Sequence, residues 1–139
     1  MKGSCLCGTI EFELLNNRIK IYQCHCDLCR KQTGTASSCG SVIPEKSFKW
    51  LSGLSAITKW EKESGFTSHF CSKCGSPVPN KFRDNPFYWV PVGTVDSENI
   101  EVVANIFVGE KTKWSNVSSS VNSFDGRPKV EELVKLLCG

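Results

Sequence analysis

Gln23-Cys24-His25-Cys26-Asp27-Leu28-Cys29-Arg30 carries three thiols within six residues. Two further close pairs, Cys5/Cys7 and Cys71/Cys74, flank it in the chain, so seven of the nine cysteines fall in three knots. Packing alone does not ask for such spacing. A single metal ion does, because thiolates sit ~2.3 Å from zinc and tight turns deliver them in pairs. Four thiols fill one tetrahedral site, and three of the seven remain. Three protein ligands with an open fourth position are the arrangement of a catalytic zinc rather than a structural one.

Other uses of cysteine fit less well. The chain opens Met1-Lys2-Gly3-Ser4 with no apolar run, so no secretory leader and no oxidising compartment are expected. An odd cysteine total does not close a disulfide framework, and partners one or two residues apart make strained, redox-type bridges. Iron–sulfur clusters use the same ligands, but the longer four-cysteine runs that commonly hold them are absent from the sequence. Zinc is the expected ion.

Length and composition indicate one cytoplasmic zinc-binding domain spanning residues 1–139. No apolar stretch approaches the ~20 residues of a membrane span. Lysine and arginine number 17 against 14 acidic residues, for a net charge of +3. They are interleaved with acids, as in Glu61-Lys62-Glu63, and form no basic stripe, which argues against nucleic acid as a partner. The mild positive balance suits a small anionic ligand.

Hydrophobic periodicity is mostly two. Ile10, Phe12 and Leu14 alternate with polar neighbours, as do Ile19 and Ile21, and Asn16-Asn17 between them predicts a hairpin. Such a hairpin would bring Cys5/Cys7 next to Cys24/Cys26. Further strands are predicted at Phe48-Leu51, Ser55-Glu61, Gly65-Phe70, Phe87-Val92 and Ile100-Val108. Only Lys129-Leu137 has a helical pattern, with Val130, Leu133, Val134 and Leu137 on one face and Pro128 at its start. The expectation is a mainly β domain with a C-terminal helix.

Gly3-Ser4-Cys5-Leu6-Cys7-Gly8, the run from Cys24 to Gly34 and Phe70-Cys71-Ser72-Lys73-Cys74-Gly75-Ser76-Pro77 together resemble the glutathione-dependent formaldehyde-activating enzyme family, also called the centromere protein V/GFA domain. Val92-Gly93-Thr94-Val95-Asp96 and the segment from Ile106 to Trp114 continue the likeness. The resemblance implies a β-tent of small antiparallel sheets around zinc knuckles, the fold shared with methionine-sulfoxide reductase B. It also implies two zinc ions. Cys5, Cys7, Cys71 and Cys74 would form a structural site, with Gly8 and Gly75 in its knuckle turns. Cys24, Cys26 and Cys29 would form an open, catalytic one. The implied partners are glutathione, or a related small thiol, and an aldehyde, joined as S-hydroxymethylglutathione or released from it by carbon–sulfur lyase chemistry. The alternative is a non-enzymatic zinc-binding interaction module of the centromere protein V type. Reductase chemistry on the same fold would need a nucleophile and a resolving partner, for which Cys39 and Cys138 are a poor pair.

Neighbouring residues on an extended chain point to opposite sides, so His25 is expected on the site's rim rather than among the ligands. His69 is expected on a strand surface, and Arg30 and Lys31 on a solvated edge with a possible reach to a carboxylate. Cys39 is expected as an apolar thiol near the open site, and Cys138 as frayed and free. Among Trp50, Trp60, Trp89 and Trp114, the last is expected to wall a ligand pocket. Asn105 stands where many members of the resembling family have histidine, and Pro79 marks its strand as an edge or bulge.

Overall fold

The alternation read from the sequence becomes strands, but their partners differ from the expected ones. The computed structural model describes residues 1–117 and 121–139. In chain order the regular elements are β1 (Lys2–Ser4), β2 (Glu11–Leu14), β3 (Ile19–Cys24), α1 (Asp27–Thr33), β4 (Ser38–Pro44), β5 (Phe48–Ser52) and β6 (Ile57–Glu61). They continue with β7 (Thr67–Cys71), β8 (Asn80–Lys81), β9 (Phe87–Pro91), β10 (Ile100–Ile106), β11 (Asn122–Ser123) and α2 (Val130–Cys138). The protein is mainly β, built as a three-stranded sheet β1-β2-β5, a six-stranded sheet β11-β10-β3-β4-β9-β8 and the hairpin β6-β7.

The hairpin expected around Asn16-Asn17 does not form. β2 pairs with β1 and β5, whereas β3 pairs with β4 and, in parallel, with β10. β3 is buried at Ile19, Ile21, Tyr22 and Cys24, so apolar contact covers both of its faces, the property of an inner strand. The Asn16-Asn17 link instead crosses between sheets and is tied to Asn99, whose side-chain amide donates to the Asn17 carbonyl at 2.6 Å. Cys5/Cys7 and Cys24/Cys26 therefore lie in separate places. The sheets are also not uniformly antiparallel, since β10 runs parallel to both β3 and β11.

β1, β11, α1 and β4 escape the periodicity argument, and the last two position the site. α1 buries none of its residues, so no apolar face marks it. It is set by its ends: Cys26 Sγ accepts the Cys29 N–H at 3.3 Å as the N-cap, and Gly34 closes it with a bond to the Arg30 carbonyl. β4 runs through the small-residue stretch Ser38-Cys39-Gly40-Ser41 and is almost wholly buried between β3 and β9. Small residues are required there, because a Cβ on Gly40 would sit 2.5 Å from Trp89 Nε1.

Aromatic rings join the first two sheets. Phe48 stacks between Phe12 and Tyr88 at centroid distances of 5.7 and 4.1 Å, and Trp50 meets Phe48 edge-on at 4.9 Å. α2, one residue from its expected bounds, buries Leu133 and Leu137 against Tyr22, Val42, Ala104 and Ile106. β8 is a two-residue edge strand beyond Pro79, as the proline required. Among the described residues no helix is long and apolar enough to cross a membrane.

Candidate metal centres and the cleft beside them

All nine cysteines are free, and seven of them gather into two groups. In the first, Cys5 and Cys7 follow β1, while Cys71 ends β7 and Cys74 lies three residues on. Their four sulfurs all lie within 4.8 Å of one another. Both arms are tight turns closed by a glycine, the first spanning three residues and the second four. Gly8 N–H donates to the Cys5 carbonyl and Gly75 N–H to the Cys71 carbonyl, with φ of 77° and 79°, values that favour glycine. Cys7 Sγ is 3.6 Å from Cys5 Sγ and 3.9 Å from Cys71 Sγ. A tetrahedron of sulfurs at the zinc–thiolate distance has edges of about 3.8 Å, so the donor set and its spacing fit that ion.

The surroundings favour ionised sulfur at Cys74 and Cys7, while burial pushes the Cys71 thiol up. Ile10 N–H donates to Cys5 Sγ at 3.3 Å. The Ser76 hydroxyl and backbone hydrogen-bond Cys74 and hold its thiol down to about 5, and Thr9 likewise lowers Cys7. Ser76 Oγ also accepts the Leu6 N–H at 2.8 Å, fastening the two arms together. Sequence reading passed over Ser76, whose signal was its position next to the knuckle glycine.

In the second group, Cys24 ends β3, Cys26 caps α1 and Cys29 lies in its first turn, again with sulfurs within 4.8 Å of one another. The three thiols share their protons unequally. Hydrogen bonds from Cys24 and Cys29, and then from the Cys29 and Leu28 backbone, pull Cys26 far down, while Cys24 is pushed up by its bonds to Cys26 and Cys29 and by burial. The trio thus already favours a thiolate at Cys26. Ser38, buried opposite Cys24 on β4, sits against Cys29 and was also missed by sequence reading.

One side of this trio opens into a cleft of about 460 Å³. Cys24, Cys29, Ser38, Tyr22 and Trp89 line its inner part, and Phe66 and Phe82 belong to its walls. The β6-β7 hairpin supplies Glu61, Gly65, Phe66 and Thr67, and the β8-β9 turn supplies Phe82, Arg83 and Asp84. Gln32 of α1 reaches across to Ser68 Oγ at 3.3 Å and holds the hairpin near the cysteines. Volume and mixed lining match a small-molecule site. Tyr22 accepts the Trp89 indole N–H at 2.8 Å, and burial pushes its hydroxyl up, so it stays neutral with its own O–H left to donate.

Replacing Gly40 with alanine should drive Trp89 off Tyr22, because the new Cβ meets the indole 2.5 Å away. The expected cost is about 1–3 kcal/mol of stability, read as a melting temperature lowered by roughly 3–10 °C with altered tryptophan emission. An unchanged melt and spectrum would refute the packing argument.

Other expected residues fall elsewhere. His25 is not on the rim: it is 1 % exposed, and its Nε2 lies 2.9 Å from Asn105 Oδ1, with its backbone N–H on the Ile106 carbonyl. It does not group with the sulfurs of Cys24, Cys26 and Cys29. Its side simply faces the interior. His69 is half-buried on β7, where burial and Lys59 across the hairpin lower its pKa. Arg30 pairs with Asp27 at 3.1 Å, and neither it nor Lys31 lines the cleft. Cys39 pairs with Gln23 and packs on the core of Phe12, Leu14 and Val90, on the face away from Cys24. Cys138 is not frayed, since it ends α2 and its Sγ donates to the Val42 carbonyl at 3.4 Å. Trp114 is 67 % exposed and does not wall the cleft, a role that falls to Trp89.

Residues 1–110 match the family described as "Glutathione-dependent formaldehyde-activating enzyme". A Schizosaccharomyces pombe protein named as an uncharacterized lyase is 23 % identical over 139 residues, covering 96 % of this chain and 97 % of its own. The crystal structure of a Rhodobacter sphaeroides protein superposes with a TM-score of 0.57 at 24 % identity, over 74 % of this chain and all of its own, a likeness of fold.

Proposed function

The chain belongs to the glutathione-dependent formaldehyde-activating enzyme family, and from that premise we propose that it is a zinc-dependent carbon–sulfur lyase-like enzyme that forms or cleaves the adduct of glutathione, or a related small thiol, with formaldehyde or another aldehyde. The observation that carries this reading is the opening of the Cys24/Cys26/Cys29 trio into the cleft. Cys5, Cys7, Cys71 and Cys74 are the structural zinc ligands in this proposal. Cys24, Cys26 and Cys29 would hold the catalytic ion. A zinc ion there supplies a positive charge that keeps a substrate sulfur ionised near neutral pH.

The chain's own residues do the rest. Hydrogen bonds from Cys24 and Cys29, helped by backbone N–H groups at the start of α1, keep Cys26 ionised, and Ser38 hydrogen-bonds Cys29. Phe66, Phe82 and Trp89 shield the reacting carbon from water. In the forward direction the thiol loses its proton, its sulfur forms the bond to the aldehyde carbon, and the carbonyl π pair moves to oxygen, which takes up a proton. The reverse breaks the same C–S bond and returns the aldehyde. Tyr22 offers its O–H to that oxygen from the cleft floor.

Exchange between glutathione and formaldehyde, followed by NMR with and without protein, tests the reading. The expected result is acceleration over the background reaction that disappears when the metal is chelated. Exchange at the uncatalysed rate, with metal bound, leaves the non-enzymatic module as the better account.

A further inference from the structure

Arg83, Glu61 and Asp84 bring one guanidinium and two carboxylates to the lining of a cleft whose inner part is otherwise apolar side chains, thiols and uncharged polar groups. All three are exposed, and among the described residues none of them makes an ion pair. Lys81, next in the same hairpin, is by contrast committed to Glu45 at 2.6 Å. Arg83 is also held at φ 54°, one of two non-glycine residues in the left-handed region among the described residues. Its N–H bonds the Lys81 carbonyl, and Asn85 N–H and side-chain amide both donate to the Phe82 carbonyl, so the turn is pinned. A strained backbone kept in place beside a cleft points to a use for the side chain it presents.

We propose that these three residues form a recognition subsite for the α-amino-acid head of the thiol substrate. Arg83 takes the α-carboxylate, and Glu61 and Asp84 take the α-ammonium. The inference rests on the functional reading above and adds what the cleft selects. A thiol bearing a phosphate would meet two carboxylates for each cation and be repelled. A neutral thiol such as 2-mercaptoethanol would leave all three charges unmatched. A zwitterionic head satisfies each of them, with the carboxylate able to accept both prongs of the guanidinium. The charges come from two separate hairpins, β6-β7 and the β8-β9 turn, so the head would also fix their spacing.

The test compares kcat/KM of the zinc-loaded full chain for glutathione, α-N-acetylglutathione and 2-mercaptoethanol. Arg83→Gly removes the guanidinium and suits the positive φ, and Glu61→Gln probes the other hairpin should that turn fail to fold. The preference for glutathione over 2-mercaptoethanol should fall about 10–100-fold with Arg83→Gly, as expected for one lost charge-assisted pair. The acetylated thiol should suffer a comparable loss with wild type, and Glu61→Gln should narrow its disadvantage. An unchanged preference in both variants, or equal losses for both thiols, overturns the subsite while leaving the enzyme reading intact. Wild type that accelerates no thiol at all sinks that reading, and the subsite with it.

Discussion

Changing Cys71 to serine should leave a chain that folds poorly and has lost most of its bound zinc. Cys71 is fully buried, in a cluster with Cys5, Ile10, Ala56 and Val78. Its sulfur and that of Cys74 close on Cys5 and Cys7 from more than sixty residues away, a separation that is costly to close with weak contacts alone. Among the described residues the two-stranded β6-β7 sheet shares no ladder with the other sheets. The cluster, the Leu6–Ser76 bond and the Gln32–Ser68 bond tie it to the rest of the chain.

The magnitudes make this the largest expected loss of stability. Apparent zinc binding is worth ~10–16 kcal/mol in small zinc-dependent folds, against ~5–15 kcal/mol for the whole stability of a domain. A serine hydroxyl does not ionise near neutral pH and would be left buried among apolar neighbours, which adds ~1–3 kcal/mol. Circular dichroism melts with metal analysis check it. A soluble Cys71→Ser protein that melts cooperatively at the wild-type temperature with unchanged metal content would falsify the structural role.

The knuckles were legible because their chemistry is local: ligand spacing, the following glycines and the turns occupy a few consecutive residues. Strand existence was legible for the same reason, but strand partnership was not. Period-two alternation says that a segment has two faces and says nothing of which strand lies beside it. That is why β2 and β3 read as a hairpin yet belong to different sheets. α1 escaped notice because it buries no face, and β4 because its small residues serve contact with Trp89 rather than propensity. The cleft was invisible for a further reason. Phe66 comes from one hairpin and Phe82, Arg83 and Trp89 from another, and only the fold brings them to Cys24. Trp114 looked the better wall because it lies in a resembling segment, but that segment presents it to solvent.

Cys26→Ser should have the opposite profile from Cys71→Ser, sparing the fold and abolishing thiol-dependent activity. Cys26 is the N-cap of α1, its Sγ accepting the Cys29 N–H. Serine is among the best residues for that position, so the helix start survives the change, and the four-cysteine cluster is untouched. What serine cannot do is carry the charge. Cys26 is the member of its trio that hydrogen bonds from Cys24, Cys29 and the backbone hold lowest, whereas a hydroxyl stays protonated and is a poor zinc ligand. Two ligands then remain where three stood. Zinc should fall from about two ions per chain to about one, as counting four-plus-three thiolates requires. Glutathione–formaldehyde exchange should drop to the uncatalysed rate while the melting temperature moves by only a few degrees. In cobalt-substituted wild type, glutathione should perturb the thiolate charge-transfer bands as a fourth sulfur arrives, and in Cys26→Ser it should not. Retention of two ions and of catalysis by Cys26→Ser would remove the trio from the mechanism. A wild type that binds only one ion and leaves exchange unaccelerated would instead favour the interaction module, since a binding surface has no need of an open thiolate site facing a cleft.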